Sequence, residues 1–229
     1  MSRNITVVGV GRLGLGLALL IEKAGYNVCG VDIFPDYVKC LNDKTYKTKE
    51  PEYENLLRNS KNFYATTDLK EGLEYSDTIF IVVQTPNGGG ERFYDHTILS
   101  NLLVKINKHK VKNKDIIVGC TVMPKYIDEI GKMLIEDCEN TTLNYNPEFI
   151  AQGEIIKGFL NPDMILIGAE DESLGDKLKE IYSTFILSKP RYCVLTPLEA
   201  EIVKITVNGF ITTKLSRSEE HTSELQSPD

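Results

Sequence analysis

The sequence predicts an α/β fold: a doubly wound parallel sheet with helices on both faces, ending near Thr196 and followed by the start of a long helix. Three observations predict it. Short apolar runs alternate with amphipathic stretches along the whole chain, the pattern of strands each followed by a covering helix. Runs such as Thr78 to Val83 are apolar without a break, as in strands buried on both faces. The opening stretch, Asn4 to Asp32, reads strand, glycine turn, helix, strand, acid.

That opening carries most of the chemistry. In Gly9-Val10-Gly11-Arg12-Leu13-Gly14 the glycines serve three separate ends. Gly9 makes a tight turn, Gly11 lets backbone approach a pyrophosphate, and Gly14 lets helix and strand pack closely. The open amides at the helix start, with Arg12 and Leu13 in the first turn, then suit phosphates. A glycine turn alone can be purely structural. Here the strand before it, the helix after it and Asp32 about 20 residues on agree with a Rossmann-type dinucleotide site. An acid there accepts hydrogen bonds from a ribose and repels a 2′-phosphate, which favours NAD over NADP.

The remaining elements follow in order. Phe34-Pro35-Asp36 opens a short helix to about Asn42, and Pro51 starts another through Arg58. Phe63 to Thr66 is a short strand, and Asp68 caps a helix to Tyr75. After the strand at Thr78 comes a loop, Gln84 to Gly90, at a strand's carboxyl end, where ligands sit in such sheets. Asp95 to His109 is helical, with Asp95 an N-cap, and Asp115 to Gly119 is a strand. Pro124 suits the first turn of a helix to about Asp137. Then come a strand at Thr142 to Tyr145, a helical piece near Glu154 to Lys157, a strand at Met164 to Gly168, a helix from Glu172 to about Phe185, and a strand at Tyr192 to Leu195. From Pro197 apolar residues recur at helical spacing.

Composition narrows the function class. With 229 residues, 41% hydrophobic, the chain can bury a core of ordinary size. No apolar run approaches the ~18 residues of a membrane span and no signal-peptide pattern opens the chain, so the expected location is cytoplasmic and no membrane partner is expected. A formal charge of −7 without a basic stripe argues against nucleic acid. Five cysteines lack paired or metal-ligand spacing, so reduced thiols and no metal are expected. Arg217 to Ser227, "RSEEHTSELQS", resembles an in-frame translation of a widely used sequencing-library adapter. Residues 217–229 are therefore set apart as non-native. The rest has 25 basic and 29 acidic residues, a formal charge of −4, and the natural chain is expected to continue past Ser216. The expected division is a cofactor domain at 1–196, the start of a central helix at 197–216, and the tail.

Five motifs occur together: the glycine turn, "QTP" at Gln84 to Pro86, "CTVMP" at Cys120 to Pro124, "NPEF" at Asn146 to Phe149 and "EAEIVKITVNGF" at Glu199 to Phe210. Their order over residues 4 to 216 resembles the UDP-glucose/GDP-mannose 6-dehydrogenase family. These enzymes oxidise the sixth carbon of a nucleotide sugar from alcohol to acid, reducing two NAD. The resemblance implies that Lys204 and Asn208, four apart on one helix face, serve the stages at which negative charge develops on oxygen. It implies that Glu148 assists water attack on a thioester, that Thr121 helps to hold a catalytic water, and that Thr85, Pro86 and Thr121 shape the cofactor crevice. A UDP- or GDP-hexose is the implied substrate, and a homodimer through the helix from Pro197 the implied assembly of the full-length protein.

Departures matter as much. The family's nucleophile is a cysteine in a Gly-Gly-x-Cys segment, which these 229 residues lack. Cys120 stands where the family usually has serine and reads as a small packed thiol. Ile150-Ala151-Gln152 replaces a usual Leu-Arg-Glu, and Met164 replaces an arginine after Pro-Asp, which leaves the sugar open. His96 and His109 read as surface histidines. Two alternatives stay open: a non-catalytic NAD-binding module, and the first domain of a 6-phosphogluconate or hydroxyacyl-CoA type dehydrogenase.

Overall fold

A computed structural model describes residues 3–87, 93–150 and 153–224. Gly88 to Gly90 of the expected glycine-rich loop, Ala151 and Gln152, and residues 225–229 of the tail lie outside the described residues. The order is β1 (Asn4–Val8), α1 (Arg12–Lys23), β2 (Asn27–Val31), α2 (Pro35–Asn42), α3 (Tyr53–Asn59), β3 (Phe63–Thr66), α4 (Leu69–Tyr75), β4 (Thr78–Ile81), α5 (Thr97–Lys108) and β5 (Asp115–Val118). A π-helical segment (Tyr126–Gly131) then runs into one α turn, α6 (Lys132–Leu134). The rest is β6 (Thr142–Tyr145), α7 (Ile155–Leu160), β7 (Met164–Gly168), α8 (Glu172–Ser183), β8 (Arg191–Leu195) and α9 (Pro197–Glu224).

The eight strands form one sheet in the order β3-β2-β1-β4-β5-β6-β7-β8. Alternation along each strand divides the core into two layers. Ile5, Val7, Phe80 and Ile117 pack with Leu15, Leu19, Leu20, Ile156 and Leu178 on one face. Val8, Ile79, Ile81 and Val118 pack with Leu73, Leu99, Leu103 and Ala200 on the other. Each of these large apolar side chains contributes about 1.5–3 kcal/mol by leaving water. The apolar runs are unbroken because both faces are covered.

Three expectations need correction. The sheet is parallel through β6, but β7 and β8, parallel to each other, run antiparallel to the rest. Among the described residues only Tyr145 and Gly168 pair across that seam, and the Asn146 side-chain amide adds a 2.8 Å hydrogen bond to the Leu166 carbonyl. Chain direction leaves no trace in an apolar run, so the reversal was invisible in the sequence. The strand at Thr78 ends at Ile81; Val82 still donates to the Val8 carbonyl at 2.8 Å, and Val82 and Val83 lie against Gly9 of the glycine loop.

The helix expected from Pro124 to Asp137 is replaced by the π segment and one α turn. Its first amides are held from a distant element: the buried Glu201 carboxylate of α9 accepts from the amides of Lys125 at 2.6 Å and Ile127 at 2.8 Å. Gly131 is the close-packed point, since a β-carbon there would lie 2.4 Å from a Leu143 methyl.

Candidate functional site

Parallel strands put their carboxyl ends on one edge. Gly9 after β1, Asp32 after β2, Thr85 beyond β4, Thr121 beyond β5 and Glu148 beyond β6 therefore come to the same rim. The strand order reverses between β1 and β4, which opens a crevice at that point.

Each glycine of the turn meets a different neighbourhood. Gly9 has φ +89°, and a β-carbon on it would lie 2.5 Å from the Val82 carbonyl oxygen. At Gly14 a β-carbon would lie 2.0 Å from the Gly9 carbonyl oxygen, so α1 touches the loop there. At Gly11 a β-carbon meets nothing within 4 Å: the backbone faces an open cradle at the start of α1, whose N-cap is Gly11 itself. No acidic residue occupies that first turn, so the amide ends keep their attraction for an anion. Two tyrosines brace the loop, Tyr37 donating to the Val10 carbonyl at 2.7 Å and Tyr53 to the Arg12 carbonyl at 2.6 Å. Arg12 is exposed, whereas Leu13 packs partly against the core.

Asp32 is half-buried directly after β2. Burial pushes its carboxyl up, while the amides of Phe34 and Ile33 pull it back. Beyond β4, Thr85 is half-buried and Pro86 exposed, and the Pro86 carbonyl accepts from the Asp95 amide at 2.8 Å. Thr121 is half-buried between the buried Cys120 and Val122.

The glutamate and the lysine singled out in the sequence meet, through the glutamate's backbone carbonyl. Lys204, buried on α9, donates to the backbone carbonyl of Glu148 and lies 4.2 Å from the centre of the Phe149 ring. Burial pushes the Glu148 carboxyl up to about 7, against the Tyr182 hydroxyl and the Lys204 charge, which favour ionisation. Burial pushes Lys204 down to about 8, against the Glu148 charge. Asn208, one turn further along α9, donates to the Tyr94 hydroxyl at 3.0 Å, beside a cleft lined by Phe93, His96, Met123 and Tyr126.

Cys120 is a packed thiol, 7% exposed, and burial pushes it up to about 12, which leaves little thiolate at neutral pH. Asp95 accepts from the amide and hydroxyl of Thr97 at 2.9 and 2.6 Å, so it serves the start of α5, two residues later than expected. His109 is exposed. His96 is instead half-buried, accepting from the Met123 amide at 3.2 Å and packing on the Tyr126 ring. Sequence reasoning also missed Tyr182, Asn146 as a side chain with partners, and Glu201. The last two lie inside quoted motifs, and Tyr182 shows only as an apolar-face residue of α8.

Comparison with known proteins gives the same pattern. Residues 3–186 match the NAD binding domain of the UDP-glucose/GDP-mannose dehydrogenase family. The chain is 29% identical over 217 residues to a UDP-glucose 6-dehydrogenase of Rickettsia bellii, covering 93% of this chain and 50% of that one. It is 30% identical over 229 residues to a GDP-mannose 6-dehydrogenase of Pseudomonas aeruginosa, covering 95% and 52%. Among solved structures, a ternary complex of the Pseudomonas aeruginosa GDP-mannose dehydrogenase superposes with a TM-score of 0.86 at 27% identity, over 96% of this chain and 52% of that one. A UDP-glucose dehydrogenase from Pyrobaculum islandicum also gives 0.86, at 25% identity over 95% and 51%. This chain thus spans about half the length of the curated relatives it matches. Since the family match runs from the residue before β1 to just past α8 and takes in the open glycine turn, the chain belongs to the UDP-glucose/GDP-mannose dehydrogenase family, with NAD as its cofactor.

Proposed function

We propose that this chain is the amino-terminal, cofactor-binding part of a cytoplasmic nucleotide-sugar 6-dehydrogenase that oxidises the sixth carbon of a UDP- or GDP-hexose to the acid. NAD, when bound, accepts hydride from that carbon. The open backbone at Gly11, with Gly9, Arg12, Leu13 and Gly14, receives the diphosphate. Asp32 takes the ribose hydroxyls, and Thr85, Pro86 and Thr121 form the rim. Lys204 and Asn208 answer negative charge developing on substrate oxygen, Thr121 holds a water, and Glu148 moves the proton that water must lose. Residues 1–196 form the cofactor domain, 197–216 begin a central helix, and 217–229 are a non-native tail, of which residues 217–224 continue α9. Exposed Ile202, Phe210 and Ile211 on α9 support a homodimer of the whole protein through that helix.

The observation that carries the catalytic reading is the meeting of Glu148 and Lys204 at the carboxyl edge of the sheet, one held up to about 7 and the other down to about 8. Groups tuned toward neutrality exchange protons readily at working pH. A second reading, a non-catalytic NAD-binding module, is favoured by one observation: Cys120, the thiol beside Thr121 at this rim, is buried and pushed up to about 12, so it supplies little thiolate. Two assays separate the readings. Calorimetry on this chain should show NAD binding that Gly11→Val abolishes, with no NADH formed from UDP-glucose or GDP-mannose. In a protein completed with the Gly-Gly-x-Cys half, NADH should form, and Lys204→Ala should cut turnover by at least about 100-fold with NAD affinity nearly unchanged. Turnover untouched by Lys204→Ala would remove that lysine from the mechanism.

A further inference from the structure

Tyr182, on α8, is 3% exposed. Its hydroxyl oxygen lies 2.7 Å from Asn146 Oδ1 and 2.8 Å from Glu148 Oε1. The Asn146 amide cannot be turned over, because its Nδ2 donates to the Leu166 carbonyl at 2.8 Å and a carbonyl can only accept. Asn146 Oδ1 therefore faces the phenol as an acceptor, and the phenol has one proton to give. If Glu148 is ionised, two acceptors compete for that proton; the charged one takes it, and Asn146 Oδ1, on a residue only 2% exposed, loses it. If Glu148 is protonated, it donates to the Tyr182 oxygen, Tyr182 donates to Asn146, and both contacts are filled.

We propose that Asn146, acting through Tyr182, biases Glu148 toward its protonated form, and that Tyr182 is a positioning residue whose proton swings to Glu148 when Glu148 gives its own proton up. In that step the Glu148 Oε1–H bond breaks and its proton goes to water or to a bound base. The Tyr182 O–H bond only rotates. Tyr182 keeps its proton because burial and the neighbouring Glu148 both push the phenol upward. Among the described residues, the other titratable groups facing this cluster are Lys204 of α9, whose charge opposes the bias, and Tyr192 of β8, which faces Tyr182. The inference rests on the reading of Glu148 as the proton-carrying carboxylate of the site, but its test does not use turnover.

The test is the titration of Glu148 in this chain, followed by carbon NMR of labelled glutamate carboxyls, with the resonance identified by its loss in Glu148→Gln. Asn146→Ala should lower the midpoint by about one pH unit, because the competing acceptor is gone. Tyr182→Phe should raise it, and adding Asn146→Ala to Tyr182→Phe should then change nothing. A midpoint indifferent to Asn146→Ala, or an equal shift with and without the phenol, overturns the proposal. If either variant loses its fold, 3-fluorotyrosine at position 182 keeps the shape and donates more strongly. It should lower the midpoint, and no change would overturn the proposal. Wild-type turnover by Glu148→Gln in the completed enzyme would sink the catalytic role of Glu148 while leaving this coupling standing.

Discussion

Three glycines within six residues, Gly9, Gly11 and Gly14, do different physical work, and single substitutions should separate them. A β-carbon at Gly14 has no room, since the Gly9 carbonyl is 2.0 Å from where it would sit, so Gly14→Ala should cost roughly 3 kcal/mol of stability. Gly11 has open space and an ordinary N-cap conformation with φ −64°. Gly11→Val should therefore cost at most about 1 kcal/mol, yet it fills the cradle and should eliminate NAD binding. Denaturant titration measures the first effect and calorimetry the second. Equal destabilisation by both would mean that Gly11 is structural.

At the scale of elements, α9 does more than extend from the sheet. Its Glu201 fills the first amides of the π segment, so Glu201→Ala should cost about 2–4 kcal/mol by stranding buried donors, read as a lower urea midpoint. The seat of Lys204 against the Glu148 loop gives a pH signature. Glu148 holds its proton to about pH 7 when folded, against 4.5 for a free glutamate. The folded state is thus the one with the extra proton between those values, and stability falls as pH rises through them. Lys204 gives up its proton near 8 when folded, against 10.5 when free. The unfolded state then holds the extra proton, and stability climbs as pH rises from about 8 to 10.5. The two groups cut a trough between pH 7 and 8, each wall on the order of 3 kcal/mol. Urea midpoints taken across this range should show it, and Glu148→Gln should flatten the acidic wall and, by removing the charge that holds Lys204 up, start the alkaline wall at a lower pH.

At the scale of the whole molecule, folding and cofactor binding are linked. Since the cradle is built from β1, α1 and the end of β4 packed together, an unfolded chain has no such site. NAD at 100 times its Kd should raise the unfolding free energy by about 2.7 kcal/mol, a Tm increase of about 5–10 °C for a chain of this size. Gly11→Val should show no increase. An NAD-independent Tm in the unsubstituted chain would contradict the cofactor assignment for these residues.

The local grammar of this protein was present in its sequence. Strand and helix periods, the spacing of Gly9, Gly11 and Gly14, Asp32 at the end of β2 and the cap at Asp68 depend on residues a few positions apart. Short-range spacing is what a chain displays before it folds. Tertiary structure alone decided the reversal of β7 and β8, the π segment held by Glu201 74 residues away, and the sharing of one phenol proton between residues 34 and 36 positions distant. Each of these depends on buried polar groups finding partners across the fold. That constraint acts only once water has been removed and the elements have met.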